Sequence, residues 1–193
     1  MAQMPAARTI PALIEELAAL HPDREALIGG SRRYTYRELH EAVRRTAKGL
    51  HALGVRHGDK VALLMGNQPE WIVADFAITA LGAVMVGLNT WATARELEYL
   101  LTHSDTRVLI TSGRYLKYDY LDMLASMTPR DTRLPALRDV ILVGDLSAPD
   151  CHNWDDMAVL GDTVDDATLA RAIATVRPTD QAYLLYTSGS TAL

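Results

Sequence analysis

Apolar positions along the chain follow two periods. From Thr9 to Leu20, Ile10, Leu13, Ile14 and Leu17 share one stripe, which predicts an amphipathic helix. Thr35 with Glu38 forms a capping-box pattern, and Leu39, Val43, Ala47 and Leu50 follow at helical spacing up to Gly54. Thr93 with Glu96 repeats the pattern and opens a helix to about His103. Pro69 suits the first turn of another helix, which runs to about Leu81. Further helical stretches are Asp119 to Met127 and Asp166 to Val176.

Between these stretches lie short apolar runs. Lys60–Met65, Ala83–Leu88, Arg107–Thr111, Asp139–Val143 and Gln181–Tyr186 are near-continuous in apolar side chains. Such runs suit strands covered on both faces, as in parallel sheets. Ala26–Gly30 and Arg33–Tyr36, joined through Gly29-Gly30-Ser31, form a hairpin candidate. Strands alternating with helices predict an α/β fold with a mostly parallel sheet flanked by helices. Residues 145–166 break the rhythm with seven aspartates and no Lys or Arg. They are expected to form an acidic surface excursion.

Length and composition refine this picture. A chain of 193 residues, 49% hydrophobic and 22% charged, has the apolar content for a sizeable core. A net charge of −5 argues against nucleic-acid binding, which depends on neutralising phosphates. The single cysteine cannot close an internal disulfide and suits a reducing, cytoplasmic compartment. The N-terminus lacks a basic region followed by an unbroken apolar one, so no secretory signal is expected. The most apolar window, Ile72 to Leu88, holds Asp75, Gly82 and Gly87. It reads as a buried helix and strand rather than a transmembrane segment.

Chemistry concentrates near residue 187. An apolar strand delivers Thr187-Ser188-Gly189-Ser190-Thr191 at its carboxyl end, where α/β sheets place ligands. Gly189 permits a tight turn with exposed amides, and four hydroxyls offer donors, a combination suited to an anion. On composition alone the stretch also fits a plain surface turn. It has neither the Walker A lysine nor the nucleophile-elbow spacing.

Other candidates read as structural. Cys151-His152 sits in the acidic segment, and neighbours in sequence rarely face each other productively. His21, His40, His51, His57 and His103 lack metal-ligand spacing. Arg32-Arg33 and Arg44-Arg45 with Lys48 read as solvated. Trp71, Ile72 and Phe76 read as core packing, and Asp155-Asp156 and Asp165-Asp166 as solvating pairs rather than an acid/base couple.

Tyr186-Thr-Ser-Gly-Ser-Thr191 after an apolar strand resembles the start of the signature loop of the adenylate-forming (AMP-binding) enzymes, which continues Gly-x-Pro-Lys-Gly. Upstream stretches agree in order: Tyr34-Thr-Tyr-Arg-Glu-Leu39, Leu53-Gly-Val-Arg-His-Gly-Asp-Lys-Val-Ala62, Asn67-Gln-Pro-Glu-Trp71, Ala80 to Thr90, and Glu96-Leu-Glu-Tyr-Leu-Leu101. Asn89-Thr90 with Glu96-Leu-Glu-Tyr99 is similar to the acyl-CoA synthetase branch, including fatty acid ligases. The resemblance covers about Thr9 to Thr191. It implies ATP, Mg2+ and coenzyme A as cofactors and a small carboxylic acid as substrate, and it leaves homo-oligomerisation open. It also implies that Thr187, Ser188, Gly189, Ser190 and Thr191 hold the ATP phosphates.

After Thr191 the sequence departs from the family pattern with Ala192 and Leu193. The resemblance therefore implies that residues 1–193 are a partial N-terminal AMP-binding domain whose C-terminal domain is absent. The acyl and adenine pockets, the metal-binding acid and the C-terminal lysine are all expected outside it, and this piece is expected to be inactive alone. The alternative is a non-catalytic module that binds a partner through an exposed sheet edge.

Overall fold

The computed structural model describes residues 4–187. Helix α1 (Ile10–Leu20) is capped by the Thr9 hydroxyl. The hairpin β1 (Glu25–Gly29) and β2 (Arg32–Thr35) leads into α2 (Tyr36–Ala52). The box at its start is complete: Glu38 N–H donates to the Thr35 hydroxyl, and the Glu38 carboxylate accepts from Thr35 N–H. Then follow β3 (Lys60–Leu64), α3 (Pro69–Ala80), β4 (Val84–Gly87), α4 (Ala94–His103) and β5 (Thr106–Thr111). Thr93 and Glu96 form the second complete box, at the start of α4.

A small hairpin, β6 (Arg114–Tyr115) and β7 (Tyr118–Asp119), precedes α5 (Tyr120–Ser126) and the single turn α6 (Arg130–Arg133). The remainder is β8 (Asp139–Leu142), β9 (His152–Asn153), α7 (Asp156–Gly161), α8 (Asp166–Ala174) and β10 (Tyr183–Leu185).

Six strands form one parallel sheet in the order β10-β4-β3-β5-β8-β9. For β3, β4, β5 and β8 the continuous apolar runs have the expected cause, because both faces are covered. β10 departs from that expectation, because it lies at the sheet edge with Tyr183 40% and Leu185 68% exposed. Val61, Leu63, Val108, Ile110 and Ile141 join a core with α1, α2, α3, α7 and α8. Ala62, Leu64, Leu109, Val140 and Leu142 join a second core with α4 and α5. The chain moves one way along the sheet through α3 and the other way through α4 and α5. Reversing direction puts the helices on opposite faces, as right-handed crossovers require.

Gly82 turns between α3 and β4 at φ +67°, and a Cβ there would meet the His57 ring at 2.3 Å. Only glycine fits both the left-handed backbone and the close approach.

The acidic segment departs from expectation. Its aspartates are exposed, yet Met157, Gly161 and Val164 are buried. The segment adds β9 to the sheet edge, and α7 packs against α2. What holds it is small-residue contact rather than a broad apolar stripe: Gly49 and Gly161 let the two helices approach closely. Asp166 pairs with both Arg44 and Lys48, 2.9 Å from each, joining α8 to α2. The Arg44–Lys48 stretch, expected to be solvated, therefore includes a tie between helices.

Candidate functional site

The carboxyl ends of the parallel strands define one end of the molecule. Thr187 emerges there, exposed, two residues beyond β10. The other expected loop residues, Ser188, Gly189, Ser190 and Thr191, lie outside the described residues. Beside β10, β4 runs into Leu88-Asn89-Thr90. The Asn89 side chain accepts from Trp91 N–H at 2.9 Å, and the Thr90 carbonyl accepts from the buried Tyr120 hydroxyl at 2.7 Å. Burial pushes that phenol up to about 12, so it remains a donor at ordinary pH. Trp91 stays 65% exposed.

β10 meets both helical layers. Towards α3, the Tyr183 hydroxyl lies 3.3 Å from Asp75 Oδ2. Asp75 is only 8% exposed, and its Oδ1 has no partner among the described residues. Burial, opposed by the Tyr183 hydrogen bond, pushes its carboxyl up to about 6, because a desolvated carboxylate is disfavoured over the neutral acid. Towards α4, the Tyr186 hydroxyl lies 2.9 Å from His103 Nδ1.

Sequence reasoning missed both pairs. A lone acid in the apolar 72–88 window is the visible trace of the first, and nothing local betrays the second.

The lesser candidates resolve into structure. His152 faces Asp139 at 3.1 Å, and burial pushes the Cys151 thiol up, the wrong direction for a nucleophile. Trp71, Ile72 and Phe76 pack against the core on the α1–α3 face. Asp165 caps α8 through Thr168 N–H. No group of three or more His, Cys, Asp or Glu side chains that could hold a metal occurs among the described residues. Nor, among them, is any helix long and apolar enough to cross a membrane.

A parallel sheet covered on both faces, with a hydroxyl-rich segment starting at a strand's carboxyl end, defines the class as an α/β ligand-binding fold. The AMP-binding enzyme profile matches residues 14–193, and the chain belongs to that family. It is 41% identical over 187 residues to a methyl-dioxo-octahydro-indenyl propanoyl:CoA ligase of Mycobacterium tuberculosis, covering 95% of this chain and 35% of the relative.

Against the long-chain-fatty-acid–CoA ligase FadD15 of Mycobacterium bovis it is 34% identical over 157 residues, covering 81% of this chain and 24% of the relative. The crystal structure of the anthranilate CoA ligase AuaEII with anthranoyl-AMP superposes with a TM-score of 0.72 at 25% identity, covering 98% of this chain and 34% of that one. The chain spans about a third of the length of the curated relatives that match it over 95% of its own.

Proposed function

We propose that these residues belong to an ATP-dependent acyl-CoA synthetase. In the first half-reaction a carboxylate oxygen attacks the α-phosphorus of ATP. The bond to the β-phosphate oxygen breaks, and pyrophosphate leaves with that electron pair. In the second, the coenzyme A thiol loses its proton and its sulfur attacks the acyl carbon, and AMP leaves.

The observation that carries this reading is the hydroxyl-rich stretch beginning at Thr187, at the carboxyl end of a parallel strand, in a chain whose family is adenylate-forming. Thr187, Ser188, Ser190 and Thr191 would donate hydroxyl hydrogens to the β- and γ-phosphate oxygens. Gly189 would let backbone amides approach them. Bringing a carboxylate against a triphosphate concentrates negative charge, and donors fixed in advance offset it. Mg2+ bound to the phosphates would supply further neutralisation.

The CoA ligases among the relatives support a carboxylic acid substrate and coenzyme A as acceptor. The 193 residues by themselves supply the opening of the loop without the lysine of the family pattern, and they are expected to release no pyrophosphate. Pyrophosphate exchange into ATP, run with a panel of aliphatic, aromatic and ring-bearing acids on the full-length protein and on residues 1–193, tests both statements. Exchange with no acid in the full-length protein rejects the synthetase reading. Exchange by residues 1–193 alone rejects their inactivity.

The second reading is a binding module that pairs through the side of β10 turned away from β4, which has no strand partner among the described residues. It is favoured by the composition of that edge, where Tyr183-Leu-Leu-Tyr-Thr187 carries none of the charges or prolines that usually blunt such strands.

A further inference from the structure

β10 has three residues and, among the described residues, bonds on one side only, to β4. Its ladder starts from Met85 N–H donating to the Ala182 carbonyl at 2.9 Å. So short an edge has few ladder bonds to hold it, and segments with few buried contacts open readily. Two side-chain ties compensate.

Tyr183 opens β10 and Tyr186 directly follows its last residue, and their hydroxyls reach opposite helical layers. Tyr183 reaches Asp75 on α3 at 3.3 Å. Tyr186 reaches His103, the last residue of α4, at 2.9 Å. The His103 ring lies edge-on to Tyr186 with centroids 5.8 Å apart, and Tyr99 backs it at 5.3 Å. Asp75 is the only charged residue between Glu70 and Arg95, and its neighbours Val73, Ala74, Ala77 and Ile78 are buried and apolar. A carboxyl in that setting is costly unless it is used, and Tyr183 is its one hydrogen-bond partner among the described residues.

We propose that Asp75 and His103 are positioning residues that pin β10 between the two helical layers and so fix where Thr187 begins the phosphate loop. The proposal rests on the reading of that stretch as the phosphate loop. Neither residue touches phosphate, and each acts through a tyrosine hydroxyl.

Amide hydrogen exchange and MgATP titration on the full-length protein test it with Tyr183→Phe, Tyr186→Phe and the double variant. Each single change should speed exchange at 183–187 about 5-fold, and the double about 20-fold or more, the loss of one and two hydrogen bonds. Amides of β3 and β5 should be unaffected, and MgATP affinity should fall in step. Asp75→Asn and His103→Asn, which keep a polar partner, should retain more protection than Asp75→Leu and His103→Leu.

Unchanged exchange at 183–187 in the double variant overturns the clamp. A loosened strand with undiminished MgATP affinity overturns its positioning role. If the wild-type protein binds no MgATP, the phosphate-loop reading and the positioning role both fall, while the exchange data still decide whether the clamp holds the strand.

Discussion

A Cβ on Gly49 would stand 2.5 Å from the carbonyl oxygen of Met157. α2 and α7 therefore touch through backbone, and a Cβ on Gly161 would likewise stand 3.1 Å from Gly49 N. Backbone cannot swing aside as a side-chain tip can, so Gly49→Ala must push the helices apart. The gain in helix propensity, about 1 kcal/mol, offsets only part of the strain. A net loss of about 1–3 kcal/mol is expected in urea unfolding. A variant as stable as the wild type would mean that α7 moves freely on α2.

Asp75 gives stability a pH dependence whose sign is opposite to that of a paired acid. Its carboxyl sits at about 6 in the fold against an ordinary 3.8. Below 3.8 both states are protonated and there is no penalty. Between 3.8 and 6 the unfolded chain releases the proton while the fold retains it, so stability falls as pH rises and levels off above about 6. Asp75→Asn removes this contribution. It should leave stability near pH 3.5 unchanged and raise it at pH 8 by on the order of 2–3 kcal/mol. Equal effects at both pH values would contradict the assignment.

Thr35→Ala should cost about 1 kcal/mol through loss of the cap on α2. The Thr35 backbone and hydroxyl hydrogens also hold the Glu38 carboxyl below its ordinary value. That stabilisation is present above the unfolded value and disappears as pH falls through the lower folded one. Acid titration of unfolding should therefore show a shallower slope in Thr35→Ala than in the wild type. Glu38→Gln, which keeps an acceptor without the titration, should flatten the slope with a smaller loss at neutral pH.

Tyr120→Phe removes the 2.7 Å bond to the Thr90 carbonyl and leaves that acceptor to find another donor. A loss of about 1–2 kcal/mol is expected, together with faster exchange of amides around Asn89 to Thr93. If exchange there does not change, the loop after β4 is held by other contacts.

The sequence displayed those parts of the fold whose cause is local. Both capping boxes could be read because Thr35–Glu38 and Thr93–Glu96 are three residues apart. The strands from Lys60 to Thr111 could be read because full burial removes polar alternation. β9 and α7 could not, since one rests on pairing with a distant strand and the other on a glycine contact that leaves no apolar periodicity. The hydroxyl-rich stretch was visible by composition, but its supports were not. Asp75 and Tyr183, or His103 and Tyr186, become neighbours only through a strand order that places β10 beside β4.

That strand order also sets a sequence of events. Tyr183 pairs with Met85, about a hundred positions earlier, and contacts so remote in sequence form late and open early. The strand that delivers Thr187 can dock only once β4, α3 and α4 are in place. A phosphate-bearing ligand gripped there would stabilise the completed sheet over every partly formed state. Its binding would then report the integrity of the whole assembly from α1 to β10.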